Sequence, residues 1–284
     1  MINHFLYMNY KKSKISFKLT AILFLLIIAS GCEKSPVEEV DQESPANFIP
    51  AKNKKYIYRI ETDGNYAGKA TQWISGEKDS SGIVVYNLHS LLETPDASMN
   101  MENKVFVQGG KTYHELVVPE AWNQTLKLFD AMPNIQVVKS ELFGYPAYLT
   151  MENLIRENSI LSLSGPSLQG QRIEYTNNGE PSSLEQHLML EPGVSSVETV
   201  QVAAGSFVCN KFIYSTRSKI ININNEGEYQ SNGEEHITVW VAHGIGTIKQ
   251  QSTARLVTVV VLPNGEIKEL VTNTTSTKTL LEIK

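Results

Sequence analysis

From Tyr56 to the C-terminus, apolar and polar side chains alternate in short runs punctuated by turn residues. Tyr56, Tyr58 and Ile60 fall on one side of an extended backbone, and Ile57, Arg59 and Glu61 on the other. Successive side chains of a strand point to opposite faces, so this pattern buries one face and exposes the other. Asp63-Gly64 follows, two residues for which the left-handed backbone of a type I′ turn costs little, which predicts a hairpin returning over 66–74. Further strands are expected over 83–91, 104–108 and 112–117, the last two joined at Gly109-Gly110.

One segment breaks the alternation. Trp122, Leu126 and Phe129 recur at i, i+4 and i+7, Pro119 suits a first turn and Pro133 a stop, so a short amphipathic helix is expected over 119–132. Strand signals between 134 and 192 are interrupted by Pro146, Gly165-Pro166, Gly170 and Asn177-Asn178-Gly179. They sharpen again over 196–202, 205–216, 236–242, 253–262 and 266–272, with Pro263-Asn264-Gly265 as a hairpin connection. No helical crossovers separate these strands, which argues against a parallel sheet. The expected fold is mainly β: a curved antiparallel sheet or partly closed β-barrel with one short helix.

The N-terminus carries an address. Lys11, Lys12, Lys14 and Lys18 precede an apolar run from Leu19 to Ala29, and the run ends in Ala29-Ser30-Gly31-Cys32. Eleven residues rise only about 16 Å as a helix, too short for a hydrocarbon core of about 30 Å. The segment reads as a processing signal over 1–31, with either Met1 or Met8 as its start. Small residues before a cysteine resemble the lipobox of bacterial lipoproteins, which implies that Cys32 is acylated and becomes the first residue of the mature chain. Residues 32–54 then read as an acidic tether and 55–284 as the folded body.

Removing 31 of 284 residues leaves 253, enough to bury a substantial core. The chain is 41% hydrophobic and 19% charged, which excludes wholly disordered and collagen-like classes. Without the four leader lysines the formal charge falls from −5 to −9, which disfavours nucleic acid as a partner.

Two blocks carry a second likeness. Val202-Ala203-Ala204-Gly205-Ser206-Phe207-Val208-Cys209 and Val239-Trp240-Val241-Ala242-His243-Gly244-Ile245-Gly246 pair an Ala-Gly-x-Phe-x-Cys strand with a Trp strand turning through Gly-x-Gly. The pattern resembles an uncharacterised envelope family related to the DUF3108 and TapB-like proteins, and implies a fold but no activity. Physically, Gly205, Phe207, Cys209, Trp240, Gly244 and Gly246 read as architecture: Phe207 and Cys209 share a face, and the glycines permit a tight turn.

Chemistry is sparse. Neither HExxH nor paired Cys-x-x-Cys occurs, so no metal is expected, and no cofactor. No Gly-x-Ser-x-Gly elbow is present, which leaves only a dispersed triad built on His187 or His243 as a hydrolase reading. Glu234-Glu235-His236 is read as an exposed strand start, and Cys209 as a buried core thiol. Tyr56, Tyr58 and Trp73 are the candidates for lining a ligand groove.

The functional expectation is a noncatalytic protein held in the bacterial cell envelope, at the outer membrane, by acyl chains on Cys32. It would bind a lipid-like molecule, a glycan or another envelope protein. The alternatives are an envelope hydrolase with a dispersed site and a subunit of a secretion or adhesion complex. Radiolabelled palmitate should enter the wild-type chain in cells and be lost from Cys32→Ala; label that survives the substitution would refute acylation at this residue.

Overall fold

In the computed structural model, residues 46–224, 227–261 and 266–284 are described; the leader, Cys32 and the Pro263-Asn264-Gly265 turn lie outside them. The strands are β1 (Tyr56–Thr62), β2 (Asn65–Ser80), β3 (Ile83–Glu93), β4 (Ser98–Gln108) and β5 (Lys111–Glu115). After a helix, α1 (Glu120–Asp130), come β6 (Ile135–Phe143), β7 (Tyr148–Glu152), β8 (Ile160–Ser164) and β9 (Leu168–Asn177). The last five are β10 (Glu180–Val202), β11 (Gly205–Asn224), β12 (Gly227–Ala242), β13 (Gly246–Val261) and β14 (Ile267–Ile283).

All strand pairings are antiparallel. The sheet runs β11-β12-β13-β14-β1-β2-β3-β4-β5-β7-β8-β10 and closes through β10–β11, giving a barrel of twelve strands, with β9 and β6 continuing outward from β10. The expectation of a partly closed barrel is met by full closure.

The opening hairpin forms as its sequence dictates, with Asp63 and Gly64 at φ 52° and 75°. Helix α1 lays Leu126 and Phe129 on Ile173, Tyr175 and Leu184, the Phe129 and Tyr175 rings 4.7 Å apart. Elsewhere the strands outrun their sequence signals. β10 is continuous from Glu180 to Val202 although Pro192 interrupts its pattern. Pro192 sits in a bulge between Glu191 and Val194, where the ladder gives up a donor without breaking the strand. β13 begins at Gly246, seven residues before its clear alternation, because Ile248, Gln250 and Ser252 all face inward and polar side chains hide the period. β14 likewise runs on to Ile283 through threonines.

The barrel has distinguishable ends. At the near end the chain enters: the Asn47 carbonyl accepts the Gly244 N–H at 2.7 Å, and Lys55 and Lys284 exchange backbone hydrogen bonds. Part of the expected tether is therefore core, since Phe48 is 0% exposed and Ile49 is buried. Phe48 N donates to Thr112 Oγ1 at 3.2 Å and its ring meets His243 at 5.1 Å, stoppering this end. At the far end β1 to β5 stop, while β9 to β14 run on as an open extension beside β6 and α1.

At Gly193 β10 passes close to β11: a Cβ there would lie 2.1 Å from the Ile213 carbonyl oxygen. Gly76, beside a bulge in β2, has open space at the same position. Gly193→Ala should cost about 1–3 kcal/mol in a urea melt through overpacking, whereas Gly76→Ala should be neutral or slightly stabilising; equal melts would show that the barrel seam tolerates widening.

Candidate functional site

Register across the strands shows what the barrel encloses. Ile60 on β1 lies opposite Lys278, Lys278 opposite Gln250, and Gln250 opposite Val239, so these four side chains share the inward face. Tyr58, Leu88, Leu149, Phe212, Val241 and Leu280 also face inward, all at 0% exposure. A water-sized void against any of them would leave part of its surface uncovered. Among the described residues, the interior around these side chains is packed by protein atoms.

Much of that filling is polar. Lys278, fully buried, donates from Nζ to Gln72 Oε1 at 3.0 Å and sits 4.1 Å from the centroid of the Tyr58 ring. Gln72 in turn donates to Ser90 Oγ at 2.5 Å, and the Tyr58 hydroxyl donates to the Thr247 carbonyl at 3.2 Å. Burial disfavours the ammonium and lowers the Lys278 pKa to about 7. His114, also 0% exposed, is held neutral by burial, its pKa lowered to about 4.

Nearer the far end, Glu235 corrects the expectation of an exposed strand start. It lies within β12, 8% exposed, on the inward face with Thr216 and Ala254 opposite. Desolvation raises its pKa to about 7, opposed by a hydrogen bond from Ser252. Its neighbours Glu234 and His236 face outward, as period-two geometry requires. Neither buried charge was legible as such: Lys278 sits among threonines and Glu235 in an acidic run, both of which read as solvated.

The candidate groove residues do not converge. Tyr56 and Tyr58 are core residues, the latter under Lys278, whereas Trp73 lies on the outer wall stacked on His89 at 5.4 Å with Lys55 Nζ 5.7 Å from its ring. The architectural block is brought together. Phe207 and Cys209 pack into one cluster with Trp240 and Ala242, and Gly205, Gly244 and Gly246 have φ of 145°, 62° and 82°. The Trp240 indole N–H donates to Glu198 at 3.2 Å, and Lys211 and Lys249 flank its ring. Burial pushes the Cys209 thiol up to about 12, the value of an inert core cysteine.

Neither histidine singled out for a triad faces a nucleophile. His243 bonds the Asn153 carbonyl, and His187 lies 3.2 Å from Glu185. A different set does align: Ser215 Oγ is 3.0 Å from His236 Nδ1, and His236 Nε2 is 4.0 Å from Glu234. These residues lie on the exposed outer face, His236 at 64% exposure, in strands paired on both sides. The neighbouring backbone N–H groups belong to the ladders and are not free to form an oxyanion hole. Among the described residues no cluster of His, Cys, Asp and Glu could hold a metal ion, and no helix is long and apolar enough to cross a membrane. A half-open groove of about 350 Å³ lies on the far extension, with Met189, Arg217, Lys219 and Arg255 among its walls. Arg217 there is already engaged by Glu191 at 2.8 Å.

No family model matches the sequence, and no curated protein does. Among solved structures, a candidate lipoprotein from Parabacteroides distasonis is similar at a TM-score of 0.42 and 11% identity, over 85% of this chain and 100% of the other. A candidate exported protein with a YmcC-like fold from Bacteroides fragilis is similar at 0.40 and 12%, over 84% and 99%. Likeness at this level carries no functional argument.

Because the Glu235 value lies above the ordinary 4.5, the folded chain binds this proton more tightly than the unfolded chain. Its contribution to stability is complete below about 4.5 and is lost as pH rises through about 7. Lys278 works the other way: its burial costs stability below about 7, a cost relieved as pH rises toward 10.5. Glu235→Gln should therefore flatten part of the decline between about pH 4.5 and pH 7 in urea melts, by on the order of 3 kcal/mol. Parallel stability curves for variant and wild type would show that Glu235 titrates as an ordinary carboxylate.

Proposed function

We propose that this chain is a lipid-anchored protein of the bacterial cell envelope, noncatalytic, that docks other envelope proteins on its surface instead of carrying a ligand inside its barrel. The filled interior carries the reading. With side chains such as Tyr58, Leu88, Phe212 and Lys278 wholly covered by their neighbours, a lipid or glycan could enter only by displacing core packing. An apolar cargo would also have to lie against Lys278, Gln72 and Glu235, whose desolvation it would not compensate.

The leader and Cys32 support the envelope address through their resemblance to the lipobox. The Ser215–His236–Glu234 set favours a polar surface over catalysis, because it lacks both enclosure and free backbone donors.

Native mass spectrometry of the mature protein purified from envelopes tests this reading. The expected mass is the chain plus its acyl groups alone. A stoichiometric lipid or glycan released by solvent extraction would overturn it in favour of a carrier.

A further inference from the structure

The groove of about 350 Å³ on the far extension spans four adjacent strands. Register assembles it from alternate residues of each: Met189, Arg217, Glu234 and Arg255 lie side by side across β10 to β13, with His187, Lys219 and Asn232 in the next row. In a chain of 30 acidic and 25 basic side chains, this groove is lined by three of the basic ones and a single carboxylate.

The carboxylates around it are already engaged. Glu185 pairs with Arg172 and His187, at 3.5 and 3.2 Å. Glu191 and Glu234 meet Arg217, at 2.8 and 3.6 Å. Lys219 and Arg255 are left over: among the described residues no carboxylate pairs with either. Lys219 is half-buried between His187 and Asn232, so part of its hydration is lost without compensation. Arg255 makes no ion pair with Glu234, although the two are directly opposite in register.

Neighbouring strands lie about 4.8 Å apart, so Lys219 on β11 and Arg255 on β13, two residues out of step, start about 12 Å from each other with Asn232 of β12 between them. Two long side chains can meet across that span, and the Asn232 amide supplies a further N–H donor. A carboxylate would neutralise only one of the two cations. A phosphate monoester carries about 1.5 to 2 negative charges at neutral pH and presents three acceptor oxygens. We propose that this groove binds a phosphate monoester, held between Lys219 and Arg255 with Asn232 donating to the third oxygen. Met189 gives the remainder of the molecule an apolar wall, and the bound group stays outside the barrel. Docking of proteins elsewhere on the surface neither requires this site nor excludes it.

Calorimetric titration of the full-length protein, purified from envelopes in a nonionic detergent, tests the site with inorganic phosphate as the probe and chloride at matched ionic strength as the background. Saturable one-to-one binding is expected, with acetate binding more weakly. Lys219→Gln and Arg255→Gln should each weaken phosphate binding about tenfold, the worth of one charge-assisted hydrogen bond. Glu234→Gln removes the groove's carboxylate and should tighten binding, a gain that a damaged fold would not produce. Lys139→Gln, on β6 and paired with Glu141, should change nothing. Glucose 1-phosphate and dihexanoyl phosphatidic acid then compete with the probe; the tighter of the two assigns the ester to a sugar or to a lipid headgroup, and either result upholds the site. The proposal is overturned by phosphate that does not bind saturably, by binding unchanged in the Lys219→Gln/Arg255→Gln double variant or weakened by Glu234→Gln, by acetate binding as tightly as phosphate, or by failure of both esters to displace the probe.

Discussion

Pairing of β10 with β11 is the contact on which the rest of the barrel depends. β10 reaches three neighbours along its length: β9 over Glu180–Met189, β8 at Gly193 and Val194, and β11 throughout. Without the β11 pairing, the two ends of the barrel sheet would be open edges and the inward face would meet water. The bulge at Pro192 and the missing side chain at Gly193 let one strand turn from the barrel wall into the extension without losing that seam. Closure is thus bought with an irregularity at two residues.

A closed wall of twelve strands gives an interior larger than aliphatic side chains alone fill here, and polar groups make up the difference. Lys278, Gln72 and Ser90 form a hydrogen-bonded chain beneath the Tyr58 ring, which gives a buried ammonium an uncharged acceptor and an aromatic face. Networks of this kind add little net stability compared with apolar packing but penalise any register that would leave a member unpaired. A one-residue slip of β14 would turn Lys278 outward and Thr277 or Thr279 inward, leaving Gln72 without its donor. The same chemistry makes the interior a poor host for an apolar molecule and leaves surface contact as the means of recognition.

Fold class and several elements were legible in the sequence for local reasons. The Tyr56-Tyr58-Ile60 alternation, the Asp63-Gly64 turn and the Trp122-Leu126-Phe129 stripe were each specified by neighbours in sequence, and each forms. The extent of β10, β13 and β14 was not legible, because Pro192 resembles a breaker and inward-facing glutamine, serine and threonine resemble an exposed strand. The candidate groove did not assemble: Tyr58 and Trp73 belong to opposite faces of the wall, a distinction that depends on the pairing of β1 with β2.

By itself the sequence determined that this chain is built from antiparallel strands with one helix, because period and turn chemistry act over a few residues. It likewise determined that Cys209 is a core thiol, since the apolar residues around it are its neighbours in the strand. Only the tertiary structure decided that the sheet closes and that Lys278 and Glu235 are buried. Those properties depend on which strand lies beside which across as many as two hundred residues, and pairing at that distance leaves no local trace in the order of side chains.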